Sequence, residues 1–204
     1  TIPELSKVNS DLIKNYLFDM ENGLNVAKGS RKGARSHIRL NNLRIRIIFI
    51  AKNIDKLYSE DMTSINERQI VGLFNKMRNG EILRADGKTY QAVADYVKCF
   101  KAFWHWHQKV SRKQGKIVED ITLDVDSSRE KPKWVYLTEE QVLELSNNAR
   151  YELRVLIMFL YDTGIRAPTE IMNLKVSDFF NNFKEVNIRD EISKTFGRRI
   201  KLML

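Results

Sequence analysis

The segment Asp162-Thr163-Gly164-Ile165-Arg166, with Glu170, Leu174 and Asp178 downstream, has the residue types needed to grip a phosphate. A guanidinium presents a planar fork of donors that matches two phosphate oxygens. Gly164 permits the left-handed turn that would aim Arg166 out of a helix ending near Asp162. The competing reading is a structural arginine that caps the carbonyls of that helix. Other groups of reactive type are sparse. Cys99 is the single cysteine and reads as a small buried hydrophobe. In Trp104-His105-Trp106-His107 the two histidines are two residues apart on a helix, so they diverge and cannot share an ion; core and rim packing is expected there. No ligand cluster points to a metal, and no cofactor is implied.

The charge points to a polyanion. The net charge is +9, and residues 121–204 are balanced at 13 Lys+Arg to 13 Asp+Glu, so the whole surplus lies in residues 1–120. No acid occurs between Glu21 and Asp55, where Lys28, Arg31, Lys32, Arg35, Arg39, Arg44, Arg46 and Lys52 are found. Such a block suits a nucleic acid, the alternative being a solvated basic face. The candidate contacts are Lys28, Arg31, Lys32, Arg35, Arg39 and Arg46, with Lys88, Tyr90, Lys98 and Lys101 further on. Tyr90 could reach a groove or simply sit in a helix turn.

These residues need elements to hold them. A helix is expected from Ser10 to about Asn25, with Asn9 or Ser10 as its cap, and a second over about 34–54. In the second, Leu40, Leu43, Ile47, Ile50 and Ile54 form a core seam, and Arg35, Arg39, Asn42 and Arg46 lie on another stripe. Ser64-Ile65-Asn66-Glu67 reads as a capping box for a third helix to Arg78. A fourth runs from just after Gly87 to Lys113, with Val93, Tyr96, Val97, Phe100, Phe103 and Trp104 on its apolar side. Four helices with one apolar stripe each can bury those stripes only against one another, which predicts a helical bundle over 5–115. Residues 116–133 have linker composition. Beyond them, Thr138-Glu139-Glu140-Gln141 is a capping box, Tyr151–Tyr161 a more apolar helix in which the run Val155–Tyr161 has the length of a buried segment, and Pro168–Leu174 a short helix. Residues 184–189 and 199–204 alternate as paired strands.

The order of these parts resembles the tyrosine recombinases, the phage integrase and Xer family. Thr163-Gly164-Ile165-Arg166, Glu170 and Leu174-Lys175-Val176-Ser177-Asp178-Phe179 look like the family's first catalytic box. Ile165-Arg166-Ala167-Pro168-Thr169-Glu170 is similar to archaeal integrases in particular. Lys194-Thr195-Phe196-Gly197-Arg198-Arg199-Ile200-Lys201-Leu202 resembles the family's β-hairpin, with Lys194 at the catalytic lysine. The resemblance implies a mainly α chain: a four-helix, SAM-like core-binding domain over 5–115, then a truncated α+β catalytic domain over 134–204. It also implies that Arg166 clamps the scissile phosphate while a tyrosine attacks, giving a 3′-phosphotyrosine intermediate, and that Lys194 protonates the departing oxygen. A plain loop lysine is the rival reading for Lys194. The family usually places an acid three residues after the arginine, whereas Glu170 stands four after Arg166; an accessory brace and a surface helix glutamate both remain open for it.

The resemblance also defines what is missing. All three histidines and all seven tyrosines precede Arg166, so neither a His-x-x-Arg box nor a nucleophile follows it. The expectation is an N-terminal portion of a recombinase that binds DNA but is inactive alone, its complete form assembling as a synaptic tetramer. A non-catalytic, double-stranded DNA-binding regulator with a helical bundle is the alternative. A lone cysteine and the lack of any apolar run near the length of a bilayer span lead to an expectation of a cytoplasmic protein without membrane contact.

Overall fold

The computed structural model describes residues 2–26, 33–128, 135–194 and 196–203, and the chain divides into two compact units, Thr1–Lys131 and Pro132–Leu204. The first is built on α1 (Lys7–Glu21), α2 (His37–Tyr58), α3 (Glu67–Arg78) and α4 (Val93–Lys113). The α2 seam lies in the core as its spacing predicts: Leu43, Ile47, Ile50 and Ile54 are buried and Leu40 is half-buried. It shares one cluster with Ile13 and Tyr16 of α1, Leu73 and Phe74 of α3, and Val97, Phe100 and Phe103 of α4. Phe100 lies at the centre, its ring 6.2 Å from Phe74, 6.0 Å from Phe103 and 5.9 Å from Trp104. Each such burial is worth about 1.5–3 kcal/mol.

Three boundaries differ from expectation. α1 is capped by Ser6, whose hydroxyl accepts from the Asn9 backbone N–H at 3.1 Å. Asn9 and Ser10 lie inside the helix and serve the tertiary fold, accepting from the N–H groups of Met62 at 2.9 Å and Ile2 at 3.1 Å. Ser6, Asn9 and Ser10 are chemically equivalent as caps, so burial selected among them. The α3 capping box is Asn66 with Gln69, its reciprocal bonds 3.0 and 2.8 Å long, rather than Ser64 with Glu67. α4 starts at Val93, because Tyr90 leaves the helical path to pack its ring 5.2 Å from Phe49 and 5.4 Å from Tyr96.

The linker expectation also needs amendment on the bundle side. Val125 is buried in the first core, Val118 and Ile121 pack against it, and Trp104 Nε1 donates to the Glu119 carbonyl at 2.8 Å. Polar composition concealed three apolar residues that return the chain to the bundle surface. Residues 129–133 of that stretch lie outside the described residues except in the assignment of the two units.

The second unit begins with α5 (Glu139–Asn147), capped as expected by Thr138 and Gln141. α6 (Tyr151–Thr163) ends at Gly164, which takes the left-handed conformation at φ 57°. In place of a helix over Pro168–Leu174 there is a turn followed by a short 3-10 segment, Ile171–Asn173. The Glu170 carboxylate takes the Arg166 backbone N–H at 3.0 Å and closes that turn. Three antiparallel strands follow in the order β1 (Phe179–Phe180), β2 (Glu185–Ile188) and β3 (Arg198–Lys201). β1, two residues long, is too short for alternation to be read in the sequence. The β2–β3 register pairs Val186 with Ile200 and Ile188 with Arg198.

The core of this unit is small. Ile165, Val186 and Ile188 are buried, surrounded by half-buried Phe159, Leu160, Leu174 and Phe179. The apolar run Val155–Tyr161, read as the length of a buried segment, lies in α6, which buries none of its residues; Val155 and Tyr161 are each 51% exposed. Only the side bearing Phe159 and Leu160 has a core to meet. No helix among the described residues is long and apolar enough to cross a membrane.

Candidate active site and nucleic-acid interface

Gly164 breaks α6, Ile165 turns into the core, and Arg166 emerges with its side chain 48% exposed. Its Nη1 donates to Glu170 Oε1 at 2.9 Å while its backbone N–H donates to Oε2, so one carboxylate fixes both ends of the residue. Glu170 itself is only 1% exposed, which removes the reading of it as a surface helix glutamate. The fourth-residue spacing works because the chain turns instead of continuing as a helix. A buried carboxylate needs charge and donors around it. Besides Arg166 it has Arg198, whose Nη1 and Nη2 reach Oε1 at 3.1 Å and Oε2 at 2.8 Å, and Ser193 Oγ at 3.2 Å from Oε1. The fork from Arg198 is the main cause holding the Glu170 pKa down, to about 2, against the opposing effect of burial; the Arg166 N–H and guanidinium add to it.

Arg198 and Ser193 were not singled out in the sequence, yet a signal for Arg198 was present. Side chains two apart on a strand share a face, and Ile200 and Leu202 pack on the core. Arg198 must therefore share the inward face and find an acid there. Lys194 lies between these two residues in the loop joining β2 to β3 and is exposed. The Gly197 N–H donates to Asp190 Oδ1 across the base of that loop. A Cβ at Gly197 would lie 2.8 Å from both Asp190 Oδ1 and the Ile188 carbonyl oxygen, so the pinch requires glycine. Just before the loop, Arg189 Nε lies 2.9 Å from Asp178 Oδ1, and Arg189 Nη2 donates to the Asn173 carbonyl at 2.7 Å.

The first unit carries the basic surface. On α4, Lys98 and Lys101 stand three apart, as do Lys109 and Arg112 further along; Lys98, Lys109 and Arg112 are exposed and Lys101 is half-buried. Arg39 on α2 and Lys88 before α4 are exposed, and Arg35 is half-buried. Lys28, Arg31 and Lys32 lie outside the described residues. Gly23 and Gly33, on either side of them, approach so closely that a Cβ on Gly23 would stand 2.6 Å from the Gly33 carbonyl carbon.

Two candidates are occupied within the fold. Arg46 lies 3.5 Å from Asp95 Oδ2, and its guanidinium stands 5.7 Å from the centre of the Tyr96 ring. Tyr90 belongs to the same aromatic group, so both side chains pack on the α2–α4 face. Their side chains lie beside core positions, where an acid and two rings outcompete solvent. Trp104 and Trp106 are buried, and His105 Nε2 lies 3.0 Å from Asp120 Oδ2, as core and rim packing predicts. Burial raises the Cys99 thiol pKa to about 12, so it is an inert hydrophobe. No group of His, Cys, Asp or Glu able to hold a metal ion occurs among the described residues.

No family model and no curated protein matches this sequence. Among solved structures the chain is similar to the Tn1549 transposon integrase, residues 82–397, determined in complex with circular intermediate DNA. The identity is 18% and the TM-score 0.62, with 94% of this chain and 59% of the integrase covered. The chain thus spans under two thirds of the integrase it matches, and over that span it has an integrase-like fold.

Proposed function

We propose that this chain is a DNA-binding portion of a tyrosine-type site-specific recombinase and carries the arginine side of its active site. The observation that carries this reading is Arg166: half exposed, placed after a glycine-broken helix, and held at both backbone and guanidinium by one buried carboxylate. A guanidinium held in advance loses little freedom on meeting the charge that gathers on a phosphoryl group. The integrase-like fold and the basic face of the first unit support the same reading. Residues 5–115 then act as a core-binding domain and residues 134–204 as part of a catalytic domain. Arg35, Arg39, Lys88, Lys98 and Lys101 contact phosphates, Arg166 clamps the scissile one, and Lys194 donates a proton to the leaving oxygen. The residues present supply duplex binding and phosphate positioning, and strand exchange needs in addition a tyrosine nucleophile and a synaptic tetramer.

Salt-dependent binding to double-stranded DNA tests this directly. About five phosphate contacts give a slope of log K against log salt near about −4.5, and a flat dependence overturns the reading. For the chemistry, a longer chain supplying the tyrosine should form a covalent adduct on a nicked site, lost in Arg166→Ala with binding retained. Duplex binding without any adduct would identify a non-catalytic regulator instead, and preference for RNA in competition would overturn both.

A further inference from the structure

We propose that Glu170 and Arg198 form a positioning clamp that couples Arg166 to the loop bearing Lys194; what the loop is held for rests on the reading above, whereas the clamp does not. A lysine on a loop is usually a solvated side chain on mobile backbone. The loop between β2 and β3 is restrained at four points. Its first residue, Arg189, is tied to Asp178 and the Asn173 carbonyl. Asp190 and Gly197 close its base, and a side chain on Gly197 would be driven into backbone atoms. Ile192 packs on the second core. Ser193, adjacent to Lys194, bonds to Glu170 Oε1, and Arg198, four residues after Lys194, forks onto both oxygens of the same carboxylate.

Glu170 is therefore shared. Its Oε1 accepts from Arg166, Arg198 and Ser193, and its Oε2 from Arg198 and the Arg166 backbone. Any motion of the carboxylate changes the set of the phosphate-facing arginine and the tether of the lysine loop together. Arg198 is bidentate, and a lysine at its place would keep the charge while losing the fork. Arg198 acts through Glu170 and is a positioning residue, not a catalytic one.

Backbone amide exchange on the whole chain tests the clamp without DNA. In Arg198→Ala and Glu170→Gln, amides of residues 190–194 and 196–197 should exchange about tenfold faster or more, with α6 and the β1–β2 pair within about threefold of wild type. Arg198→Lys should fall between the two. Unchanged exchange in the loop, or a rise that α6 and β1–β2 share equally, overturns the clamp in favour of general stability. Should either variant unfold the second unit, Ser193→Ala decides: faster exchange confined to residues 192–194 supports the clamp, and none overturns it. Salt-dependent duplex binding of the same chain is measured in parallel. A loop that loosens as expected beside a flat salt dependence leaves the clamp standing and removes the DNA reading.

Discussion

The two units are held together by different forces. In the first, apolar side chains from all four helices share one core, and most of its polar bonds lie at the rim. In the second, the core cluster is Ile165, Val186 and Ile188 ringed by half-buried residues, while the buried carboxylates Glu170 and Asp178 each gather an arginine or more. Apolar burial is non-directional and tolerates small shifts; charge-assisted bonds fix angles. The candidate chemistry is found in the unit whose packing is thin and whose bonds are directional. The largest expected effect follows for the first unit: Phe100→Ala should cost about 3–5 kcal/mol in urea unfolding, because it opens a cavity among three other rings. A loss well below that range would mean the bundle core is not its main support.

The corresponding break in the second unit is ionic. Glu170→Ala should cost about 2 kcal/mol, the order expected for charge-assisted bonds to a buried carboxylate, with the loss limited because both guanidiniums can turn to water. Read by urea unfolding with a second-unit probe such as the Val186 amide, a cost under about 0.5 kcal/mol would place this unit's stability elsewhere. The same comparison can be made with acid. The Glu170 pKa is lowered from 4.5 to about 2, chiefly by the Arg198 bonds, so its contribution is complete above about pH 4.5 and is lost as the pH falls through about 2. Signals of Val186 and Ile188 should therefore fade over that window before those of Phe100. Glu170→Gln should abolish the step. In the first unit Asp120 is also held low, by bonds from Thr122 and His105 that outweigh its burial, but it lies at the edge of the core and should affect the rim alone.

Most of the first unit could be read from its sequence because a helix repeats its instruction. The α2 seam is stated five times, from Leu40 to Ile54, and each statement agrees with the fold. Caps are stated once, and where Ser6, Asn9 and Ser10 or Ser64 and Asn66 compete, only tertiary burial decides between them. The Gly164 break, and with it the place where Arg166 leaves the helix, was legible because glycine carries its own local meaning. Glu170 was legible as a candidate but not as a buried hub, since its partners Ser193 and Arg198 stand 23 and 28 residues away. Arg46 illustrates the converse. A basic stripe on a helix shows which way its residues point, whereas the acid and ring that occupy Arg46 come from α4. Long-range pairing of charges has no period: the strand alternation could turn Arg198 inward but could not say which acid it meets.

A final pair of substitutions applies one local loss to both units. α3 and α5 start with the same device, Asn66 with Gln69 and Thr138 with Gln141, the first side chain of each pair accepting from the backbone N–H three residues on and the glutamine from the N–H three residues back. Asn66→Ala and Thr138→Ala should each remove about 1 kcal/mol of helix stability. In the bundle that loss is a small fraction of what the core supplies, and the first unit's unfolding midpoint should move little. In the second unit, where α5 buries only Val142 and Ser146, the same loss should appear as faster amide exchange through most of α5. Ser64→Ala is the control, because that residue does not cap α3 and its loss should leave the helix unchanged. Equal responses in α3 and α5 would mean that the thin core of the second unit supports its helices as well as the bundle supports its own, and the contrast between the units would reduce to the charged site alone.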